Sequence, residues 1–428
     1  MPQNPPILDA ADRTHYTGAA GDLMTTQYMN IEDFDLQTLP QSFYDHPYAT
    51  YAALRSVSPV HRLPDGSFFL TRYADLDRVY RDTATFSSDK KIEFKPKFGD
   101  SPLYEHHTTS LVFNDPPLHT RVRKIIAGSL TPRAIADMEP GLIAVVDGLL
   151  DRIESKGSAD LITEFAAVIP VEIIGNLLGV PHEERGPLRA WSLAILSALE
   201  PAPTPAMLQA GNQAVRAFIV YLEKLVADRR GNPGDPANDV LTRLLGQEQD
   251  GTQLTETELL QNCIFILNAG HETTTNLIGN GLQLLIEWPD QRRALLKDPD
   301  LAKSAVEEFL RFESSNQLGN RRTTMDTRLG GLDLPAGTRL NLCIGAANRD
   351  PEQFEDPDRL DLSRKPNRHL AFGTGPHICA GVNLARLEGK VAISRFINRF
   401  PHYRPAGIAV RGARARFRGF LAIPIAVC

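Results

Sequence analysis

Between Thr255 and Pro289 the chain runs through Glu256–Glu287, a segment almost free of charge once its first turn is passed. Thr255 stands three residues before Glu258, the spacing of a capping box, in which each side chain satisfies the other's backbone N–H. Pro289 cannot continue a helix and marks the end. At about 1.5 Å per residue such a helix is roughly 45–50 Å long, enough to cross a whole domain. With so few charges it has no face for water and must be buried all round. A chain that has to cover a helix of this length on every side is mostly helical itself.

The rest of the sequence agrees. From Arg121 to about Asn320 helical patterns dominate, and Ala380–Phe400 reads as another helix stopped by Pro401. Strands are few. Gly66–Arg72 reads as a short strand, Leu332–Gly337 followed by Thr338–Cys343 as a hairpin, and the Lys-rich stretch Ser87–Asn114 as a long loop. Turns fall at Pro201–Pro205, Asn232–Pro233 and Asp235–Pro236. The 428 residues carry no repeat and no low-complexity linker. The expected fold is therefore mainly α with a minor β region, as one domain over 29–428 behind a flexible leader, 1–28.

Composition excludes several functions. A net charge of −6 is wrong for a nucleic-acid binder. No apolar run reaches the length of a membrane span, and the first residues lack the apolar core of a signal peptide. The four cysteines, Cys263, Cys343, Cys379 and Cys428, form no CxxC pair. A reducing cytoplasm suits them better than a disulfide framework.

Two motifs carry chemistry. In Phe372-Gly373-Thr374-Gly375-Pro376-His377-Ile378-Cys379-Ala380-Gly381, two glycines precede a cysteine and a third follows it. Glycine permits the tight turns and close approaches that bring a cysteine up to a flat macrocycle. Successive amide N–H groups and the dipole of the helix that follows can stabilise a thiolate there. Within the long helix, Ala269-Gly270-His271-Glu272-Thr273-Thr274 puts an acid and hydroxyls in an apolar setting, which is costly without a role. Gly270 can leave a groove where dioxygen fits, and a Thr hydroxyl bonding back one turn can widen the helix. Two rival motifs fail: position 275 is Thr where a zinc protease needs His, and position 378 is Ile where a dinucleotide loop needs Gly.

The first motif resembles the haem-binding signature of the cytochrome P450 family, and the second its oxygen-activation motif. The matches run from about His46 to the C-terminus. The resemblance implies the cytochrome P450 fold, with haem b between the long helix and the cysteine loop and Cys379 as axial ligand to iron. A thiolate there favours O–O cleavage. It assigns Thr273 to hydrogen-bonding dioxygen and Glu272 to relaying protons, with Ala269, Gly270, Phe372 and Gly373 against the cofactor. Asp115–Arg123 matches a segment that supplies propionate partners, making His119 and Arg123 candidates together with Arg321, His369 and His377. Glu308 and Arg311 look like the family's Glu-x-x-Arg, with Arg359 as the third member that locks the cysteine loop.

By the same resemblance the protein is a monomeric monooxygenase of the soluble bacterial type. It inserts one oxygen atom into a small or medium apolar molecule, by hydroxylation or O-demethylation. Electrons pass from NAD(P)H through a reductase and a ferredoxin or flavodoxin, for which Arg121, Lys124, Arg386 and Lys390 are docking candidates. The expected substrate lining includes Ile264, Leu267, Asn268, Asn316, Gln317 and Phe420. A peroxide-driven peroxygenase and a non-catalytic haem sensor remain open as rivals; neither needs the Glu272–Thr273 pair.

Overall fold

The computed structural model describes residues 31–235, 239–246 and 254–427. The leader, Pro236 of the Asp235–Pro236 turn and Cys428 lie outside the described residues.

The expected long helix forms over Glu256–Glu287, 32 residues, with the capping box made as the sequence predicts. The Thr255 hydroxyl accepts from the Glu258 N–H at 3.2 Å, and the Glu258 carboxylate accepts from the Thr255 N–H at 2.9 Å. The helices Val168–Leu177, Leu188–Ser197, Pro205–Gly231 and Val382–Arg399 pack against it. The last of these is the helix expected after the cysteine loop. It approaches closely, because a Cβ at Gly389 would stand 2.9 Å from Leu277 and one at Gly281 would stand 2.7 Å from Ile393. Leu277, Ile278, Leu282, Phe309, Ile393 and Phe396 then share one core. A second core, under Pro205–Gly231, gathers Phe218, Leu222, Ile264 and Leu267. Among the described residues no helix is long and apolar enough to cross a membrane.

The β region is small, as expected, but its pairing differs in one place. The expected strand is Phe68–Leu70, inside a five-stranded sheet ordered Val60–Arg62, Phe68–Leu70, Arg339–Cys343, Leu318–Thr323, Phe86–Ser87. Arg339–Cys343 does not pair with Leu332–Leu334. It lies parallel to Phe68–Leu70 and antiparallel to Leu318–Thr323. Leu332–Leu334 instead closes a hairpin on Thr327–Leu329 across Gly330-Gly331, two glycines that make a shorter turn than Pro335–Gly337.

The expected loop at Ser87–Asn114 is also corrected. It holds two helices, Lys91–Phe98 and Pro102–Thr109. The signals were local. Phe94 and Phe98 stand four apart and both are buried, and Ser101 caps a helix whose first residue is Pro102. The lysines concealed them: Lys90 is itself buried, bonded to Glu93 at 2.7 Å.

One buried acid on the cysteine helix has no such partner. Glu388 is 2% exposed, its Oε1 makes no hydrogen bond, and burial pushes it up from 4.5 to about 8. The folded chain thus keeps a proton that the unfolded chain releases, so stability is full below about 4.5 and falls as pH rises to about 8. The slope is at most about 1.4 kcal/mol per pH unit. Urea midpoints at pH 5 and pH 8 should differ less in Glu388→Gln than in the wild type, with the variant the more stable at pH 8.

Candidate active site

Leu370 enters the cysteine loop by donating its N–H to Asn348 Oδ1 at 2.7 Å. The loop then closes on itself, Gly373 N–H to Leu370 O at 2.8 Å and Cys379 N–H to Phe372 O at 2.9 Å. Gly373 and Gly375 have φ of 65° and 70°, the left-handed region where a side chain is strained. A Cβ at Gly375 would also stand 2.7 Å from the Tyr80 carbonyl oxygen. The Cys379 thiol has open surface, yet burial raises its pKa. The two facts agree if the sulfur faces an interior space ringed by protein. The Gly381 N–H donates to the sulfur, and Arg123 and Arg386 add positive charge; all three favour the thiolate. Cys263 and Cys343 are fully buried and held up at about 12, so the inert reading of both stands.

Cationic side chains gather near this cysteine. The His119 and His377 rings stack with centroids 3.8 Å apart. Burial, Arg321, His119 and Arg123 together push His377 down to about 3, and burial with Arg123 lowers His119. Arg321 is 7% exposed with its Nε unpartnered, and His119 Nε2 is unpartnered too. The nearby carboxylate, Asp115, is occupied by Ser87 Oγ and the Ser88 N–H. Among the described residues no carboxylate hydrogen-bonds Arg123 or Arg321. A buried guanidinium with an N–H left over, beside the half-buried Arg123 and two imidazoles that can donate, calls for an anion from outside the chain. His369 Nε2 is likewise buried without a hydrogen-bond partner. Its Nε2 lies 3.3 Å from Glu307, which His369 and Arg386 hold down at about 2 against the upward push of burial.

Between residues 259 and 282 the long helix is covered except for one stripe. Phe265, Ile266, Ala269, Gly270 and Thr273 keep accessible surface at helical spacing, while Ile264, Leu267, His271 and Glu272 are buried. Thr273 Oγ1 donates to the Ala269 carbonyl at 2.8 Å, the back-bond the sequence suggested. Gly270 is corrected in one respect. A Cβ there would lie 1.9 Å from Ile174 Cδ1, so this glycine admits the Val168–Leu177 helix. Glu272 is 5% exposed and is raised by burial to about 7 despite its bond to Arg414.

A family model described as cytochrome P450 matches residues 189–407. Vitamin D(3) 25-hydroxylase of Pseudonocardia autotrophica is 41% identical over 359 residues, covering 83% of this chain and 86% of that protein. This chain belongs to the cytochrome P450 family. Cytochrome P450 107B1 of Saccharopolyspora erythraea is 37% identical over 386 residues, 87% of this chain and 92% of its own. The crystal structure of P450BioI in complex with an acyl carrier protein ligated to hexadec-9Z-enoic acid superposes with a TM-score of 0.85 at 32% identity, covering 91% of this chain and 100% of that one. The protein is a haem-thiolate monooxygenase that uses haem b, dioxygen and electrons derived from NAD(P)H. The residues fit the cofactor: an open thiol with an amide at its sulfur, leftover N–H groups of a kind that bind propionates, and an accessible stripe on the long helix.

The P450 scaffold differs from expectation in its third arginine. Glu308 and Arg311 are both fully buried and pair through two bonds of 2.7 and 2.8 Å. The third side chain is Arg364, whose Nε reaches Glu308 at 3.2 Å. Arg359 is exposed and supplies only its carbonyl, which accepts from Arg311 and Arg364. The sequence held a signal for this in the turn Asp361-Leu-Ser-Arg364, where the Asp361 carboxylate folds the chain onto Ser363 and aims position 364 inward.

The expected lining is also redrawn. Ile264 and Leu267 belong to the second core. Asn268 is 2% exposed with both polar side-chain atoms unpartnered. Gln317 turns away to donate to Ser314 O and Tyr48 Oη. Phe420 is buried in the main core, with Arg411 over its ring. Asn316 is half-buried and bridged to Phe417. The run after Arg311 is occupied by Glu313, which pairs with Arg418 and Arg411 and accepts from Tyr48 Oη. Nothing in the spacing announced that partner, about a hundred residues away.

Arg364→Ala should lower the unfolding free energy from urea titration by about 1.5–3 kcal/mol, the value of a hydrogen bond to a charged group, and reduce haem content on purification. Arg359→Ala should stay within about 0.5 kcal/mol of wild type. Equal effects of the two changes would refute this assignment of the triad.

Proposed function

We propose that the enzyme oxidises a small or medium, mainly apolar molecule by C–H hydroxylation or oxidative O-demethylation, with Thr273 and Glu272 managing the protons. The observation that carries this reading is the pairing of an accessible Thr273 on the long helix with a neighbouring buried acid raised to about 7. The accessible stripe supplies Phe265, Ile266 and Ala269 as apolar contacts for substrate.

When bound, haem supplies the oxygen activation and the attack on carbon. The chain's own residues do the rest. Cys379 would hold the iron as thiolate; the Gly381 amide and the Arg123 and Arg386 charges favour that form against the burial that raises the thiol's pKa. Arg123, Arg321, His119 and His377 would hold the cofactor by its carboxylates. Thr273, bonded to Ala269 O, keeps its lone pairs free to accept and can turn its proton toward dioxygen. Glu272 is buried yet titrates near neutrality, so it can donate a proton and take another from solvent.

For electron supply, the reading is an acidic ferredoxin or flavodoxin, in the cytoplasm with its reductase. A surface cleft of about 560 Å³ behind the cysteine loop supports it, lined by Lys303, Arg364, Lys365, Arg386 and Lys390; Arg364, Arg386 and Lys390 pair with Glu308, Glu307 and Glu139, which leaves Lys303 and Lys365 as its unpaired cations among the described residues. This takes in two of the four expected docking residues. Arg121 is paired with Glu258, and Lys124 stands exposed on another helix.

Three experiments test these roles. The carbon monoxide difference spectrum of the reduced protein should show the strongly red-shifted band of a thiolate ligand, and Cys379→Ser should lose it. Thr273→Ala should consume NAD(P)H at a comparable rate but release peroxide in place of product; a tightly coupled variant would refute the role of Thr273. Reversing Lys303 and Lys365 to Glu should raise the KM for an acidic ferredoxin, more so at low ionic strength, with peroxide-driven turnover unchanged.

A further inference from the structure

Glu272 bonds a residue far away in sequence. Its Oε1 accepts from Arg414 Nη1, in the loop that joins strands Val410–Arg411 and Phe420–Ala422. Its Oε2 is buried with no partner. The same guanidinium reaches a second buried carboxylate: Arg414 Nε donates to Glu200 Oε1 at 3.3 Å. Glu200 lies between the helices Leu188–Ser197 and Pro205–Gly231. Its Oε2 accepts from the Ala415 and Arg416 N–H groups at 2.9 and 3.0 Å, and its carbonyl accepts from Lys97. One cation therefore stands between two carboxylates carried by different elements. Arg189, on the Leu188–Ser197 helix, adds a second positive charge facing Glu272, and His271 is its neighbour on the long helix.

We propose that Arg414 is the positioning residue of Glu272, holding one carboxylate oxygen and governing when the other takes up a proton. Glu200 shares Arg414, so that this control follows the chain between the Leu188–Ser197 and Pro205–Gly231 helices. The proposal rests on the reading of Glu272 as proton relay. The geometry gives the direction of each effect. Arg414 stabilises the carboxylate form of Glu272, and Glu200 opposes it, both by its own charge and by competing for the guanidinium. Without Arg414, burial would keep Glu272 protonated at neutral pH and stop it from giving up its proton. Without Glu200, Arg414 would serve Glu272 alone and hold it ionised. A merely structural bridge between the loop and the long helix would affect stability and leave the titration of Glu272 in place.

The test is an infrared difference titration of the resting holoenzyme, following the carboxylic C=O band that disappears in Glu272→Gln. The wild-type midpoint is expected near 7. Arg414→Gln should move it upward by at least one pH unit, tenfold in proton affinity, and Arg414→Lys should restore most of the shift. Glu200→Gln should move it downward. The alkaline limb of coupled turnover should follow in the same directions. An unmoved midpoint in Arg414→Gln, or shifts of the same sign in Arg414→Gln and Glu200→Gln, overturns the proposal. Should Arg414→Gln fail to fold, Glu200→Gln carries the test with the opposite sign. Unchanged coupling in Glu272→Gln overturns the relay reading, while the infrared midpoints still decide whether Arg414 governs Glu272.

Discussion

Five donors converge on the buried carboxylate of Glu308: Nε and Nη2 of Arg311, Nε of Arg364, Nδ2 of Asn367 and the N–H of Asp361. Taking such a group out of water is expensive, and a buried ion pair often adds little net stability over well-packed apolar side chains. What this one provides is geometry. Arg311 also donates to the carbonyls of Asn348, Pro357 and Arg359, so the Ala302–Phe312 helix grips the chain just ahead of the cysteine loop at several points. Asn348 passes the constraint on by accepting the Leu370 N–H as the loop begins. The same helix packs on the long helix and on the cysteine helix. The position of Cys379 relative to Thr273 is thus referred to one helix and one carboxylate.

A second buried carboxylate does comparable work for the C-terminal loop. Glu313 holds Arg418 and Arg411, and Arg418 also donates to the carbonyls of Tyr44 and Asp45. The start and the end of the described chain are thereby tied to the residue just past the Ala302–Phe312 helix. The loop that carries Arg414 to Glu272 is anchored from below by this group and from above by Glu200.

What could be read in the sequence was whatever one short segment decides by itself. The long helix was legible from its cap, its lack of charge and its terminal proline, and the cysteine loop from glycines whose left-handed φ the structure shows. Glu308 and Arg311 were legible because they lie three apart on one helix. The rest depended on tertiary choice. The choice between Arg359 and Arg364 rests on how residues 356–364 fold, for which the only local signal is the Asp361–Ser363 turn. Strand Arg339–Cys343 chose Phe68–Leu70 and Leu318–Thr323 over its neighbour in sequence. The lining residues were misplaced because the rotation of the long helix is set by its neighbours: the accessible stripe runs through 265, 266, 269, 270 and 273, which puts Ile264 and Leu267 on the opposite face. The bonds of Glu272 to Arg414 and of Glu313 to Arg418 span 142 and 105 residues, beyond any local pattern.

The buried glutamates show why only one of them suits proton transfer. Glu313, facing Arg418, Arg411 and Arg349, is held at about 2 even though burial pushes it upward, so it stays an anion at any working pH. Glu388 has no cation near it, and burial alone carries it to about 8, so at neutral pH it keeps its proton. Glu272 lies between the two. Burial raises it, the one guanidinium bonded to it, shared with Glu200, lowers it again with a smaller contribution from Arg189, and the result is about 7 with one oxygen unpartnered. A carboxyl group exchanges protons best when neither of its forms is strongly preferred. Full pairing would destroy that balance, and so would none. Incomplete pairing at Glu272, which would be a flaw in a structural ion pair, suits the proton relay we propose for this acid beside Thr273.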